Sequence, residues 1–217
     1  MRRTVVIAGR KAPYILPKEE GDEIWTVNSA FMAPTNQKGV DRVYFMDPLV
    51  SLVKRYPSFV EEINKLECPV YAQRAYPEIP TSRPLPIADM IACLSGVRYF
   101  TSTLAYMIAH AIFERADRII LHRITSSADS VEYYHQKPCH DFWCGVALGL
   151  GIVVRTSDDS LLMKPHPWGP PLYGYWQGPE DCELYAEVNT ALINLGKVPI
   201  EYREVTHVEG VSLPVPG

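Results

Sequence analysis

The run Tyr99-Phe-Thr-Ser-Thr-Leu-Ala-Tyr-Met-Ile-Ala-His-Ala-Ile-Phe-Glu-Arg-Ala-Asp-Arg-Ile-Ile-Leu-His-Arg-Ile124 decides the fold. It opens on three hydroxyl residues, Thr101, Ser102 and Thr103, continues as an apolar run and closes on Ile119-Ile120-Leu121. Leu104, Met107, Ile108, Ala111 and Ile112 recur at steps of three and four, which is one face of a helix. A Ser or Thr ahead of such a run caps the helix, because its side-chain oxygen accepts from an unpaired backbone N–H. The same helix end carries partial positive charge and free donors, so it also suits an anion. A helix followed by a buried strand is half of an α/β unit, and such folds hold ligands in the loops at the strand ends. Capping and ligand binding are therefore both open for Thr101, Ser102 and Thr103.

Working outward, Thr4-Val-Val-Ile-Ala8 reads as a buried first strand ended by Gly9. The loop after it, Gly9-Arg-Lys-Ala-Pro-Tyr14, offers a glycine for close backbone approach and Arg10 and Lys11 for phosphate. It is neither a dinucleotide fingerprint nor a Walker loop, and an exposed turn accounts for it equally well. Glu23 to Asn28 and Arg42 to Asp47 read as second and third strands. If the strands are parallel, Gly9, Asn28 and Asp47 share the carboxyl edge of one sheet, where open α/β sheets bind ligands. Ser51 to Leu66 reads as an amphipathic helix that Pro57 splits, and Pro69 to Ala72 as a short strand. Residues 73–86, with four prolines, read as a long surface loop. A short helix follows near Ile87–Leu94.

Beyond the central run, Cys139 to Leu150 reads as a helix burying Phe142, Trp143, Val146 and Leu150, terminated by Gly149-x-Gly151. Ile152-Val-Val154 reads as a further strand. The rigid aromatic run Pro165-His-Pro-Trp-Gly-Pro-Pro-Leu-Tyr-Gly-Tyr-Trp176 suits a lid or a cover for a sheet edge, and Asp181 to Leu195 a last helix. The expectation is a single α/β domain over 1–217, a three-layer sandwich around a largely parallel sheet. A Pro/aromatic-rich extension begins at about residue 160.

Composition narrows the function. With 217 residues, 47% of them hydrophobic, the chain has material for a sizeable core. A net charge of −4 disfavours a nucleic acid acceptor, although a local basic groove would escape that test. The apolar start after Arg2 and Arg3 is too short for a signal-peptide core, and no stretch is long enough to span a bilayer. A soluble, cytoplasmic protein with no membrane partner is expected. Five widely spaced cysteines without a Cys-x-x-Cys argue against a disulfide framework. Cys139-His140 and Cys144 could sit near each other on a helix, yet small buried thiols explain the cysteines more cheaply than a zinc site, so no metal ligand is assigned.

Several motifs together resemble a known family. They are Gly9-x-x-x-Pro13 after strand one, Val27-Asn28 closing strand two and Tyr44-Phe-Met-Asp47 closing strand three, then Thr101-Ser-Thr-Leu-Ala105 and Arg118-Ile-Ile-Leu-His122. Their order resembles the Rossmann-like group joining sialyltransferase-type glycosyltransferases, archaeal 6-hydroxymethylpterin pyrophosphokinases and small phage-encoded relatives. The resemblance spans roughly residues 4–155. It implies a nucleotide surrounded by Gly9, Pro13, Asn28, Asp47, Ser102 and Thr103. Two departures stand out: the first loop lacks the family's Gly-x-Gly-Pro-Ser, and His122-Arg-Ile-Thr125 replaces its Gly-x-Asp.

The leading expectation is a glycosyltransferase-like protein that binds a nucleotide or nucleotide-sugar. Arg10, Lys11, Thr101, Ser102 and Thr103 would hold phosphates, Arg123 would meet developing charge, and Tyr173 would stack on a base or sugar. His122, Asp129 and His135 are the candidate bases, each also explicable as an ordinary surface group. A non-catalytic sensor or sequestering protein needs the pocket but no base. A pyrophosphokinase needs Mg2+, for which Asp47 is a single carboxylate.

Overall fold

The computed structural model describes residues 3–9, 22–33, 39–126, 131–157 and 160–164, with Thr190 and Asn194. The chain divides into two compact units, Met1–Met163 and Lys164–Gly217. The elements below all belong to the first. The aromatic run of 165–176 and nearly all of the helix expected over 181–195 lie outside the described residues.

Seven strands form one sheet: β1 (Thr4–Ala8), β2 (Asp22–Val27), β3 (Arg42–Tyr44), β4 (Val70–Ala72), β5 (Ser82–Pro84), β6 (Arg118–His122) and β7 (Val153–Thr156). Their order is β5-β4-β3-β2-β1-β6-β7, and every neighbouring pair is parallel. Five α-helices are described: α1 (Leu49–Arg55), α2 (Phe59–Asn64), α3 (Ile87–Cys93), α4 (Thr103–Phe113) and α5 (Val131–Gly149). This is the expected Rossmann-like α/β architecture.

Side chains on a strand alternate between faces, and β3 shows it: Tyr44 joins one core while Val43 and Phe45 join the other. The first core packs Met107, Ile108 and Ala111 of α4 and Trp143 of α5 against Ile7, Ile119 and Leu121 of the sheet. The second packs Leu52, Phe59 and Ile63 of α1 and α2 against Val43, Phe45 and Val70. Two separate cores on the two faces of one sheet make three layers. Truncating Met107 or Ile108, each fully buried, to alanine would cost about 2–5 kcal/mol.

The helix ends follow local chemistry. Arg115 takes a left-handed conformation after α4 (φ 58), and the amide of Ala116 bonds the carbonyl of Ala111 at 3.0 Å. Gly151 (φ 81) does the same after α5, with Ile152 N–H reaching Ala147 O at 3.0 Å. Both are Schellman closures, and the second is the terminator that Gly149-x-Gly151 predicts. Pro57 falls between α1 and α2, which splits the helix as expected, although α1 starts two residues earlier than Ser51.

Three expectations need correction. Residues 73–86 are not an irregular loop, because Ser82–Pro84 adds a parallel edge strand to β4 and Tyr76 bridges Ile79. Helix α5 starts at Val131, not Cys139, and carries Pro138 in its interior. Its buried stripe is Cys139, His140, Trp143, Cys144 and Ala147, while Phe142 and Leu150 are exposed at 38% and 63%.

Candidate functional site at the carboxyl edge of the sheet

Strand order reverses about β1: β2 lies on one side and β6, much later in sequence, on the other. Chain connections leave β1 and β6 in opposite directions, and the crevice at such a switch point is where open α/β sheets accept ligands. Gly9 sits at this point. Its amide donates to His122 O at 3.0 Å, and a Cβ placed on it would stand 2.5 Å from the carbonyl oxygen of Arg123. Only glycine fits so close an approach of two backbones. Arg123 is itself left-handed (φ 55), and its amide donates to Ser157 Oγ at 3.2 Å.

Next along the edge, Asn28 follows β2 with φ 49, a region that Asn tolerates better than most side chains. Its amide donates to Tyr44 O at 2.7 Å. Its Oδ1 accepts from the Thr103 hydroxyl at 3.1 Å, and Thr103 Oγ1 accepts from the Met46 amide at 3.2 Å. One buried hydroxyl at the start of α4 thus ties the ends of β2 and β3 together. Asp47 beside it is exposed, as is Thr101.

Ser102 caps α4, its Oγ accepting from Ala105 N–H at 3.3 Å. The same Oγ lies 2.6 Å from Nε2 of His140 on α5, and His140 Nδ1 lies 3.3 Å from Ser126 Oγ. His140 is only 2% exposed. Burial pulls its pKa down from 6.5 to about 4, with Asp141 opposing and Lys137 adding to the shift. The imidazole is therefore neutral at pH 7. In the tautomer carrying the proton on Nδ1, it accepts from Ser102 and donates to Ser126.

The sheet edge thus brings together Gly9, Asn28, Asp47, Thr101, Ser102, Thr103, His122 and Arg123. His135 is exposed on the second turn of α5. Arg10, Lys11, Pro13, Asp129 and Tyr173 lie outside the described residues. Among the described residues, no group of three or more His, Cys, Asp or Glu side chains is placed to hold a metal ion. An open cleft of about 570 Å3 starts at Pro48 and runs between Leu49, Val50 and Val53 of α1 and Gln73, Arg74 and Tyr76 beyond β4.

Sequence reasoning missed His140 and Ser126. The signal for His140 was its place in the stripe 139-140-143-144-147, where a buried imidazole implies polar partners. It also missed a network at the amino edge of the sheet. Arg3 and Arg42 each pair with both Glu23 and Glu114, and Glu114 further accepts from His110 Nε2 at 3.2 Å. His110 Nδ1 meets the buried Tyr44 hydroxyl at 2.8 Å. The ion pairs lie at the opposite ends of the strands from Gly9 and Asn28 and brace the fold, while His110 carries the network along the sheet to Tyr44, whose carbonyl accepts from the Asn28 amide.

No family model, curated protein or solved structure matches the chain. Among the described residues no helix is long and apolar enough to cross a membrane.

Proposed function

We propose that the chain binds a nucleotide or nucleotide-sugar at the carboxyl edge of β1, β2, β3 and β6, and acts as a glycosyltransferase-like protein. The observation that carries this reading is the switch point between β1 and β6 in an all-parallel sheet, the place where such sheets accept ligands, with Gly9, Asn28 and Thr103 at its carboxyl edge. The first turn of α4 opens on the same edge, and its unpaired amides favour phosphate. The cleft that starts at Pro48 gives room for an acceptor or sugar.

The second reading is a nucleotide-binding sensor or sequestering protein. It is favoured by two side-chain sets that are already bonded within themselves, Asn28 with Thr103 and Ser102 with His140 and Ser126, which make a preorganised edge rather than a set of uncommitted bases. A magnesium-dependent pyrophosphokinase would need acidic ligands joining Asp47.

A thermal-shift screen against nucleotides and nucleotide-sugars, with and without Mg2+, tests the reading. A ligand at a hundred times its Kd adds about 2.7 kcal/mol of apparent stability. A selective shift that Asn28→Ala weakens supports the site, and no shift with any nucleotide overturns it. Turnover of the shifted donor then separates the transferase from the sensor.

A further inference from the structure

The Ser102–His140–Ser126 chain is more than a helix cap. A cap needs one oxygen facing one amide, typically at about 2.9–3.0 Å. Here the cap bond is long, 3.3 Å, while the hydroxyl sits 2.6 Å from a buried imidazole nitrogen on another helix. The other ring nitrogen is held by Ser126, at 3.3 Å. A hydroxyl, a base within hydrogen-bond reach and a third group orienting the base are the parts of an activated nucleophile. Ser102 is half-buried, while His140 and Ser126 are buried.

We propose that Ser102 is a nucleophile toward activated acyl esters, with His140 as its base and Ser126 as the residue that positions the imidazole. The assignment goes beyond nucleotide binding and does not depend on it. In the acylation step, Ser102 Oγ bonds the ester carbonyl carbon as its proton passes to His140 Nε2. The oxyanion would form beside the Ala105 amide, which already faces Ser102 Oγ at 3.3 Å, at the positive end of α4. Collapse breaks the ester C–O bond, and the alcohol leaves with the proton from Nε2. Water then attacks the acyl-serine, its proton returning through His140, which releases the acid and restores Ser102. The sum is ester plus water giving acid plus alcohol.

Ser126 differs from a carboxylate in that it orients the ring without stabilising the imidazolium, and the buried site adds to the cost of that charge. The chemistry is therefore slow, and covalent capture is a better readout than turnover.

The experiment is to treat the full chain with an alkyl fluorophosphonate, follow intact mass and map the adduct by peptide mass spectrometry. Attack by Ser102 Oγ forms an O–P bond and expels fluoride, and the serine proton passes through His140 to solvent. One adduct on Ser102 is expected, absent in Ser102→Ala. Its rate should fall at least tenfold in His140→Gln and several-fold in Ser126→Ala, both checked for folding by thermal melting. If His140→Gln does not fold, Ser126→Ala alone decides. No adduct on Ser102 in the folded protein, or a rate unchanged in the folded variants, overturns the proposal.

Discussion

A methyl group on Gly9 would press into the backbone of Arg123, with only 2.5 Å between the added Cβ and the Arg123 carbonyl oxygen. The nearest obstructing atom belongs to backbone, which cannot rotate away as the Ile124 side-chain end at 3.1 Å can. Gly9→Ala must therefore push the ends of β1 and β6 apart or shift the loop after β6. Overpacking of this kind costs about 1–3 kcal/mol. Urea unfolding of Gly9→Ala should show that loss, together with weakened nucleotide shifts if the ligand sits at this switch point. Stability equal to the parent would mean that the two strand ends separate freely.

Thr103 gives the second prediction. Its hydroxyl donates to Asn28 and accepts from the Met46 amide, and the residue is 6% exposed. Thr103→Val keeps the shape and removes both bonds, leaving an amide and a side-chain carbonyl without their partner. A buried group left unsatisfied costs about 1–3 kcal/mol, and because Asn28 and Met46 are half-buried the loss lies toward the low end of that range. Thr103→Ser keeps the hydroxyl and should lie much nearer the parent. Thermal melting of the pair decides it, and equal melting points for Val and Ser would remove the hydroxyl's bridging role.

These two residues also mark what the sequence makes legible. Buried parallel strands write themselves as aliphatic runs, so β1, β2, β3 and β6 and their terminal residues could be placed along one edge without a structure. Ser82-Arg83-Pro84 could not be read as a strand, because an edge strand paired only to β4 has no buried run to advertise it. The start of α5 was misplaced because Pro138 reads as a first-turn residue, whereas it sits well inside the helix, and interior proline is disfavoured by about 3 kcal/mol. Pairings across long separations leave no local trace. Arg3 meets Glu114 across 111 positions, and Ser102 meets His140 across 38.

The amino-edge network yields a third prediction. Burial alone would raise the Glu114 pKa, but bonds from His110, Arg42 and Arg3 outweigh it and hold the carboxyl well below its ordinary 4.5. Glu23 is lowered too, its burial outweighed by Trp25, Arg3 and Arg42. A carboxylate depressed in the folded state stabilises the fold above its unfolded pKa and loses that contribution as pH falls below it. Acid should therefore weaken the chain progressively below about pH 4.5, the ordinary value. Glu114→Gln should cost about 1.5–3 kcal/mol at pH 7, with that penalty shrinking below about pH 4.5 as this carboxyl protonates in the parent's unfolded chain while staying ionised in the fold. A penalty constant from pH 7 to pH 3 would show that the charge contributes nothing.

His140 should leave its own mark at milder pH. Its folded pKa, about 4, lies below the unfolded 6.5, chiefly because burial disfavours the charged ring. Between those values the unfolded chain holds a proton that the folded chain does not, so falling pH favours unfolding. Stability is highest above pH 6.5 and drops through the window down to about 4, by roughly 3 kcal/mol in all. The neighbouring Asp141 and Lys137 pair with each other, and their opposed effects on the ring leave burial in control. His140→Gln cannot take up the proton, and its amide can still bond Ser102. Its stability should lie below the parent at pH 7 and approach it as pH falls to 4, because only the parent loses stability through this group. Urea unfolding at half-unit steps of pH measures both curves, and the difference between them removes the contributions of the remaining histidines. Parallel curves would mean that the imidazole titrates alike in the folded and unfolded chain.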